Sequence, residues 1–319
     1  MAESLDGARI AVCCGGTSAE AEVSRVTGRM VAEALERCGA KVVVVEPDAA
    51  LIDLLRGGEA DAVFPALHGP LGEDGCLQGV LEFHHMPYVG SGVRASACAN
   101  DKIIAKRLFR DAGLPVASDV VVHRREKTRD AVDRVRAAVG DDVVVKPARQ
   151  GSAIGVSFAR GPGEIAAAMD AAFALDHDLL VEERIEGSEI TAGVIDLGGP
   201  RPFPLIDIRT PAGSWYDYEH RYTSGLSEHI IPAPLPDGVY ARVQETAVAA
   251  HSVLGCRHLS RADFVVSGAG QIALLEVNTM PGMTPTSLYP DAARYAGHTF
   301  DALVSAFVQD ALYTGAPSL

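Results

Sequence analysis

The residues most able to do chemistry lie in a predicted β-hairpin near the C-terminus. Two apolar runs flank the turn "SGAG" and carry Arg261, Asp263, Glu276 and Asn278. Strand side chains alternate between faces, so these four side chains share one face. Two carboxylates in an apolar setting repel each other unless a cation neutralises them. Mg²⁺ binds oxygen ligands and shares phosphate oxygens of a substrate, so the pattern predicts a magnesium site.

The magnesium interpretation depends on the register of the hairpin. A four-residue loop places Asp263 opposite Leu274 and Arg261 opposite Glu276. A slip of one residue would move one strand's side chains to the other face. The alternative is an exposed polar end of the hairpin, where Arg261 pairs with Glu276.

The segment "VVVKPARQGSAIGV" is a second candidate site. Lys146 ends a strand, and Gly151, Ser152 and Gly155 follow it. A lysine beside Gly-rich backbone amides is typical of phosphate binding. The segment lacks GxxxxGK[ST], so it is not a Walker A loop. A flexible hairpin loop is the alternative.

Two more loops follow predicted strands. "HGPLGEDGCLQG" contains four glycines, and its density of polar groups (His68, Glu73, Asp74, Gln78) favours a functional loop. The segment "CGGTSAEAEVS" has paired glycines but not the full GxGxxG, which makes a dinucleotide site a minor alternative. Its Glu20 lies near a helix N-terminus, where it could cap the helix or bind a ligand ammonium.

A long polar segment over residues 210–236 contains too much Gly, Pro and Ser for regular structure. Within it, "YDYEHRY" supplies Tyr216, Tyr218 and Tyr222 with Arg221. Long loops in compact domains are often lids, so this one could close over an anionic ligand. Aromatic anchoring of the loop is the alternative.

These segments require a scaffold that brings them together. The first hundred residues alternate strand and helix: "ARIAVCC", a helix over 23–38, "AKVVVVEP" with valines on both faces, and "ADAVFPALHG". Such alternation predicts a parallel sheet with crossover helices, and ligands bind at the carboxyl ends of such strands.

The pattern changes to α+β near residue 101. The N-capped helix "NDKIIAKRLFRDAGLP" opens this part, a helix over 163–174 follows, and "DLLVEERIEGSEITAGVIDL" predicts a strand pair. A third region holds helices near 237–254 and 299–313 around the hairpin. We therefore expect three domains, over residues 1–100, 101–186 and 187–319.

Composition narrows the function classes. The chain has 319 residues, 48% of them hydrophobic, and a formal net charge of −14, which disfavours general binding to nucleic acids and anionic membranes. No apolar run reaches the ~20 residues that a membrane span needs. The N-terminus does not resemble a signal peptide, and the six cysteines lack metal-ligand spacing. We expect a cytoplasmic protein, with Cys13 and Cys14 buried in a strand.

Taken together, these segments resemble the D-alanine–D-alanine ligases of the ATP-grasp superfamily. The resemblance runs in order through "GGTSAEAEVS", "HGPLGEDGCLQG", "GSGVRASACANDK", "VVVKPARQGSAIGV", "VEERIEGSEIT", "YDYEHRY", "RADF" and "LLEVNTMPGMTPTSL". It implies an N-terminal doubly wound parallel-sheet domain followed by a two-lobed ATP-grasp fold. It also implies ATP-dependent joining of two D-alanines through an acyl phosphate, for peptidoglycan precursors, by a homodimeric enzyme.

The resemblance carries roles to matching residues. It implies that ATP contacts Lys102, Lys146, Ser152, Glu182, Glu183, Ile185, Glu189 and Arg221. It implies two Mg²⁺, replaceable by Mn²⁺, on Asp263, Glu276 and Asn278. The amino-acid substrates would contact Glu20, His68, Arg261, Ser287 and the backbone of Leu288. Arg261 and the N–H of Gly282 would stabilise the oxyanion, and Glu20, Ser152 and Tyr222 would form a hydrogen-bonded triad.

Two departures concern the phosphate side. The family usually has lysine at Arg221, and its loop often has a second serine at Ala153. Arginine keeps the charge but is not equivalent to lysine. Relatives that make depsipeptides usually lack the tyrosine at Tyr222, so a dipeptide product is favoured. The alternatives are a related ligase with another amino-acid or hydroxy-acid acceptor, a non-catalytic nucleotide-binding protein, and a nicotinamide-linked dehydrogenase.

Overall fold

The computed structural model describes residues 5–211, 214–217, 220, 221, 223 and 225–316. The strands in these ranges form three sheets that follow one another along the chain. No helix in the described part of the chain is long and apolar enough to cross a membrane.

The first sheet is parallel, with strand order β2-β1-β3. Its region comprises β1 Arg9–Cys13, α1 Ala21–Arg37, β2 Lys41–Val45, α2 Ala49–Gly57, β3 Ala62–Pro65, α3 Cys76–Phe83 and α4 Val93–Asn100. Ile10 and Val12 pack in one cluster with α1, whereas Ala11 and Cys13 pack in another with α2 and α3. Helices therefore cover both faces, and the predicted burial of Cys13 and Cys14 is confirmed.

Strand β2 differs from the rest of this sheet. Val43 and Val44 are 42% and 53% exposed, although the strand is apolar on both faces. The reason is position: among the described strands β2 pairs only with β1, so it forms the edge of the sheet.

The second sheet is antiparallel, with strand order β4-β7-β5-β6. Its region comprises α5 Lys102–Asp111, β4 Asp119–His123, α6 Thr128–Val139, β5 Asp142–Pro147, β6 Ser157–Arg160, α7 Gly161–Ala172 and β7 Asp178–Glu183. The Asp101 carboxylate accepts hydrogen bonds from the N–H groups of Ile103 and Ile104, which confirms the predicted cap of α5. Val143 and Val145 pack against α6 and α7, so the alternating Val144 and Lys146 face the opposite way.

The third sheet has the strand order β11-β10-β8-β12-β13, with β9 paired to β8. Its region comprises β8 Ser188–Asp196, β9 Pro200–Pro202, β10 Ile206–Arg209, β11 Glu228–Ile230, α8 Asp237–Leu254, β12 His258–Val266, β13 Ile272–Asn278, α9 Leu288–Tyr295 and α10 Phe300–Thr314. Helix α8 packs on this sheet, whereas α10 packs on α1 of the first region.

Two predictions for this part of the chain were wrong. The segment 178–196 is not a strand pair, because β7 belongs to the second sheet and β8 to the third. The segment 210–236 is not entirely irregular, because β11 pairs antiparallel with β10 near its end. In both cases the partner strand is distant in sequence or belongs to another layer, which local composition does not reveal.

The predicted register of the β12–β13 hairpin was also wrong. Asp263 lies opposite Glu276, and Arg261 lies opposite Asn278. Pairing starts one residue later than predicted, and a register shift between Asp263 and Phe264 leaves Leu275 as the extra residue of a β-bulge. Without the bulge, Asp263 would face Leu275 and the two carboxylates would lie on opposite faces. The predicted common face therefore holds only because the bulge adds a second one-residue shift.

The boundary between the second and third sheets falls between β7 and β8, close to the predicted limit at residue 187. The first and third regions are joined, because Arg37 of α1 and Asp301 of α10 form an ion pair at 2.7 Å. The domain limits 1–100, 101–186 and 187–319 stay a prediction.

Candidate active site

Two clefts lie side by side among the three regions. The first is the polar cleft, and its walls include Glu20, His68, Lys102, Ser152, Arg221, Arg261, Glu276, Asn278, Gly282, Ser287 and Leu288. The second is the apolar cleft, and its walls include Lys146, Glu182, Glu183, Ile185, Glu189, Val144, Phe158, Trp215 and Leu275. Both clefts are open to solvent and combine apolar with charged side chains, as small-molecule sites do.

The two clefts share one wall. Lys102, Gln150, Tyr216, Arg221 and Glu276 line both of them. Ligands in the two clefts would therefore meet across this wall, where two lysine or arginine side chains lie beside one carboxylate.

A hydrogen bond between distant segments closes one side of the polar cleft. The Ser152 hydroxyl donates to Oε1 of Glu20 at 2.5 Å, although the residues are 132 apart in sequence. Glu20 is 7% exposed, and its other carboxylate oxygen lies against Gly69, where a Cβ atom would be only 2.8 Å away. The first and second regions therefore meet at this carboxylate.

The backbone of the Gly-rich loop is what aims Ser152. Ser152 and Ala153 both have positive φ angles, 49° and 59°, which are unusual for residues other than glycine. Such conformations persist where the surrounding structure enforces them, often at functional sites. The Lys102 ammonium donates to the carbonyl of Gln150 at 2.6 Å and so ties the loop to α5.

The loop after β3 divides into structural and cleft-facing residues. His68 and Glu73 line the polar cleft. The His68 ring lies 3.1 Å from the Thr27 hydroxyl and 3.8 Å from the Glu73 carboxylate. Asp74 and Gln78 instead bond the backbone of their own loop.

Glu276 is the most electrostatically perturbed carboxylate of the shared wall. Its Oε2 lies 3.2 Å from the ammonium of Lys102. Burial by itself would raise the pKa of Glu276, but Lys102, Arg221, Arg261 and Lys146 together lower it to about 2. Glu276 is therefore ionised at neutral pH and offers acceptor oxygens to a cation or a donor.

Asp263 lies apart from both cleft walls. Arg261 donates two hydrogen bonds to its carboxylate, each 2.8 Å long, and the Thr191 hydroxyl donates a third at 2.6 Å. Burial alone would lower the pKa of Arg261, but Asp263 raises it above the ordinary arginine value. Arg261 thus pairs with Asp263, not with Glu276 as one sequence interpretation held.

The segment after β13 surrounds the far end of the polar cleft. Asn278 accepts a hydrogen bond from the N–H of Met280 at 2.8 Å. Ser287 precedes α9 but does not cap it, because its hydroxyl contacts Thr284. Its hydroxyl also lies close to the Cα side of Gly282, where a Cβ atom would be 2.8 Å away. The N-terminus of α9, starting at Leu288, therefore opens into the cleft.

A buried ion cluster forms the floor of the apolar cleft. Glu182 is 2% exposed, and its two carboxylate oxygens contact the ammonium groups of Lys106 and Lys146 separately. Burial alone would raise the pKa of Glu182, but the two lysines lower it. Lys106 was not identified from the sequence.

Glu183 and Glu189, two further predicted residues, also line the apolar cleft. Glu183 accepts a hydrogen bond from the N–H of Ser118 at 2.8 Å. Glu189 accepts one from the N–H of Tyr216 at 3.4 Å, and burial raises the pKa of Glu189. Phe158 and Trp215 pack edge to face across the cleft, with ring centroids 5.3 Å apart.

The long loop contributes Arg221 to the shared wall. The Arg221 guanidinium lies over the Tyr216 ring, 4.6 Å from its centroid, and donates to the Tyr216 carbonyl at 3.3 Å. This cation–π contact fixes the arginine beside Glu276. Tyr218 and Tyr222 lie outside the described residues, so the predicted triad with Tyr222 stays a prediction.

The paired glycines after β1 serve a tight turn. Gly15 and Gly16 have φ angles of 91° and 81°. Glu46, the acidic residue directly after β2, accepts a hydrogen bond from the N–H of Gly16 at 2.6 Å and pairs with Arg25 at 2.9 Å. Because the Glu46 carboxylate is already bonded to Gly16 and Arg25, it is less available to bind a ribose. This weakens the interpretation of the segment as a dinucleotide site.

The three predicted metal ligands are two carboxylates, Asp263 and Glu276, and one amide, Asn278. Asp263, Glu276 and Asn278 lie on one face of the hairpin, and all three supply oxygen atoms. No group of three or more His, Cys, Asp or Glu side chains arranged for a metal occurs among the described residues. Two carboxylates and an amide are nevertheless the chemistry that Mg²⁺ prefers when substrate phosphates complete the coordination.

Several cleft residues were missed in the sequence. Val144 could have been found, because it lies two residues before Lys146 and so shares its strand face. Gln150, Thr279 and Thr286 lie within or beside the segments already singled out. Phe158 and Trp215 carry no sequence signal, because only the packing of the long loop on β6 brings them together.

Comparisons with known proteins agree with this geometry. The family model described as D-ala D-ala ligase C-terminus matches residues 108–309, and that described as D-ala D-ala ligase N-terminus matches residues 54–91. A D-alanine–D-alanine ligase of Desulforamulus reducens is 43% identical over 309 residues, which cover 95% of this chain and 98% of the relative.

Solved structures show the same similarity. D-alanine–D-alanine ligase from Bacillus anthracis, complexed with ATP, has a TM-score of 0.83 and 29% identity, and the match covers 97% of this chain and 98% of that one. D-alanyl-alanine synthetase A from Vibrio cholerae has a TM-score of 0.85 and 28% identity, with coverage of 97% and 100%. The predicted fold class, a doubly wound domain followed by an ATP-grasp fold, is confirmed, and the chain belongs to the D-alanine–D-alanine ligase family.

Proposed function

We propose that this protein joins two D-alanine molecules to D-alanyl-D-alanine, at the expense of ATP, with ADP and phosphate as the other products. The observation that carries this proposal is the wall shared by the two clefts. A nucleotide in one cleft and amino acids in the other would meet at Lys102, Arg221 and Glu276. That arrangement suits transfer of a phosphoryl group between the clefts.

The reaction needs such a transfer because a carboxylate is a poor acyl donor. Phosphorylation of the first D-alanine carboxylate gives an acyl phosphate and ADP. The amine of the second D-alanine then attacks the acyl carbon, loses a proton, and displaces phosphate. Phosphoryl transfer depends mainly on positioning and on neutralising charge, which the cations around the shared wall can supply.

The apolar cleft suits ATP. Phe158 and Trp215 offer aromatic surface for the base, and Glu182, Glu183, Ile185 and Glu189 line the part assigned to adenine and ribose. Lys146 and Lys102 also line this cleft, where they would contact phosphate oxygens. The strained loop at Ser152 would supply backbone N–H groups to the same phosphates.

The polar cleft suits the amino acids. The buried Glu20 carboxylate would bind the ammonium of the first D-alanine, with His68 near its carboxylate. Ser287 and the free N-terminal backbone of α9 at Leu288 would bind the carboxylate of the second. Arg261 and the Gly282 N–H would stabilise the oxyanion that forms as the amine attacks.

The donor set fits Mg²⁺. Asp263, Glu276 and Asn278 would hold two ions, for which Mn²⁺ could substitute, and the low pKa of Glu276 keeps that ligand ionised. When bound, the metal would neutralise phosphate charge and orient the phosphoryl group. Asp263 would then exchange part of its contact with Arg261, which would free the guanidinium for the oxyanion.

The long loop would serve as a lid. Tyr216 and Arg221 lie on the shared wall, and with Tyr222 they would shield the acyl phosphate from water. The Ser152–Glu20 hydrogen bond gives that lid a fixed partner, and Tyr222 would complete the triad. We expect a cytoplasmic homodimer that supplies peptidoglycan precursors.

Phosphate release tests the proposal. Purified protein should release phosphate from ATP when D-alanine and Mg²⁺ are present, and chelation of the metal should stop it. Release with D-alanine alone should match release with D-alanine plus any second acceptor. A strong preference for D-serine, D-lactate or an L-amino acid would favour the alternative, a related ligase with another acceptor. That alternative is suggested by Arg221, where the family usually has lysine. No ATP turnover under any condition would refute ligase activity.

A further inference from the structure

The side chain of Lys106 is buried beside the nucleotide cleft, although it lines neither cleft. It is 3% exposed and contacts one carboxylate oxygen of Glu182, while Lys146 contacts the other. A carboxylate as buried as Glu182 needs compensation for its charge. Two ammonium groups share that task, and only Lys146 reaches the cleft.

Helix α5 links Lys106 to the shared wall. Lys102 and Lys106 are four residues apart, so both project from the same face of the helix. Lys102 contacts Glu276, and Lys106 contacts Glu182. Each lysine of α5 therefore pairs with a carboxylate of a different sheet.

A second anion holds Lys106 in place. Asp119 lies opposite Glu182 in the β4–β7 pairing, and its carboxylate is 3.8 Å from the Lys106 ammonium. Arg110 also contacts Asp119, but it is half exposed, and the ion pairs of Glu182 in the described part of the chain are with Lys106 and Lys146. Lys106 is thus the cation that connects the two carboxylates.

We propose that Lys106 is a positioning residue for nucleotide selection: it neutralises Glu182, so that Glu182 stays an acceptor for the adenine amino group and Lys146 stays available to the phosphates. This inference rests on the proposed function, since it takes ATP to occupy the apolar cleft. An ionised carboxylate only accepts hydrogen bonds. It therefore favours adenine, whose 6-position donates, over hypoxanthine, whose 6-position carries a carbonyl oxygen.

Loss of Lys106 would leave Lys146 as the sole counter-ion of Glu182. Lys146 would then be held by the carboxylate, or Glu182 would take up a proton and become a donor. The first outcome weakens phosphate binding, and the second weakens the preference for adenine. Neither alters the residues assigned to D-alanine.

The first test compares Lys106→Met with Arg110→Met. We expect Lys106→Met to raise the KM for ATP about tenfold or more, the usual cost of losing a charged hydrogen-bond partner. The KM for D-alanine should stay within about twofold, and the ratio of kcat/KM for ATP over ITP should fall. Arg110→Met should leave all three values near wild type. An unchanged KM for ATP together with an unchanged ATP:ITP ratio in Lys106→Met would overturn the inference.

The second test asks whether Lys106 acts through Glu182. In a Glu182→Gln background, Lys106→Met should cause little further rise in the KM for ATP, because residues of one network are not additive. Full additivity would overturn the inference. This double variant contains no unpaired Glu182 charge, so it also serves if Lys106→Met alone fails to fold.

A wild-type protein without ATP-dependent phosphate release would refute the proposed function itself, whereas an active wild type with an unaffected Lys106→Met refutes only the role of Lys106.

Discussion

The apolar cleft and the polar cleft are built in different ways. The apolar cleft lies between two antiparallel sheets, and more than half of its lining residues come from strands β5, β6, β7, β8, β12 and β13. The polar cleft is walled largely by loops and helix termini from all three regions, at Glu20, Ser152 and Ser287 among others. Strands fix side chains by period, whereas loops fix them by individual contacts.

The charges of the two clefts differ as well. In the apolar cleft, Glu182 is compensated by two lysines within the protein. In the polar cleft, Glu20 lies at a loop junction and accepts a hydrogen bond from the Ser152 hydroxyl. The first arrangement suits a ligand that brings aromatic surface and phosphates, and the second suits one that brings an ammonium group. Substitutions in the two clefts should therefore affect different substrates.

The shared wall should give the largest effect. Glu276→Gln removes a charge that faces both clefts, so we expect a loss in kcat of about 10³-fold, at the upper end for one electrostatic group in an active site. Phosphate release with saturating ATP and D-alanine measures it. Glu245→Gln, exposed on α8, is the matched control. Near-normal turnover of Glu276→Gln would show that the shared wall separates the two clefts but that the charge of Glu276 does not contribute to catalysis.

Loss of the Ser152–Glu20 hydrogen bond, which closes the polar cleft, should have the second-largest effect on activity. Ser152→Ala removes the donor to Glu20, and we expect kcat/KM for D-alanine to fall about 10- to 100-fold, the range for a hydrogen bond to a charged group. The KM for ATP should change little. Steady-state kinetics with each substrate varied in turn will separate the two effects. If the KM for ATP rises as much, Ser152 belongs to the nucleotide side and the division between the clefts fails there.

An aromatic substitution probes the apolar cleft alone. Phe158→Ala removes the edge-to-face partner of Trp215, and we expect the KM for ATP to rise about 3- to 10-fold, the value of one aromatic pair. The KM for D-alanine should not change. Trp215 is the one tryptophan in the sequence, so its fluorescence should respond to ATP in the wild type. Phe83→Ala, on an 82% exposed side chain, is the control.

The conservative change at Arg221 should have the smallest effect. Arg221→Lys keeps the charge near Glu276 but weakens stacking on Tyr216 and loses the guanidinium bond to the Tyr216 carbonyl. We expect an active enzyme with kcat reduced about 2- to 5-fold, the value of an exposed cation–π contact. Initial rates of phosphate release measure it. An inactive variant would show that this lid requires arginine.

The apolar strands explain how much the sequence could predict. Alternating apolar strands and helices predicted the parallel sheet, an apolar run predicted the strand that contains Lys146, and the period of two predicted the common face of Asp263 and Glu276. The same patterns failed where pairing depends on distant strands. They joined β7 to β8, which belong to different sheets, and they missed the bulge at Leu275.

The candidate site was predictable where glycine and polar residues cluster in short segments. Glu20, His68, Ser152 and Ser287 all lie in such segments, and the structure brings them to one cleft. Lys106 was not predictable in this way. It looks like an ordinary lysine in an amphipathic helix, and only the docking of α5 on β4 and β7 turns it into the counter-ion of Glu182.

The sequence by itself determined the order of strands and helices, the family, and the residues that can bind a cation, a phosphate or a carboxylate. These depend on local composition and spacing, which the chain carries wherever it folds. The tertiary structure alone decided that Asp263 faces Glu276, that Asp263 pairs with Arg261, and that Glu20 meets Ser152. Two of these contacts join different strands or regions, and the third lies within β12. Their geometry is fixed by a bulge, a strained loop or the packing of three sheets, which no local pattern records.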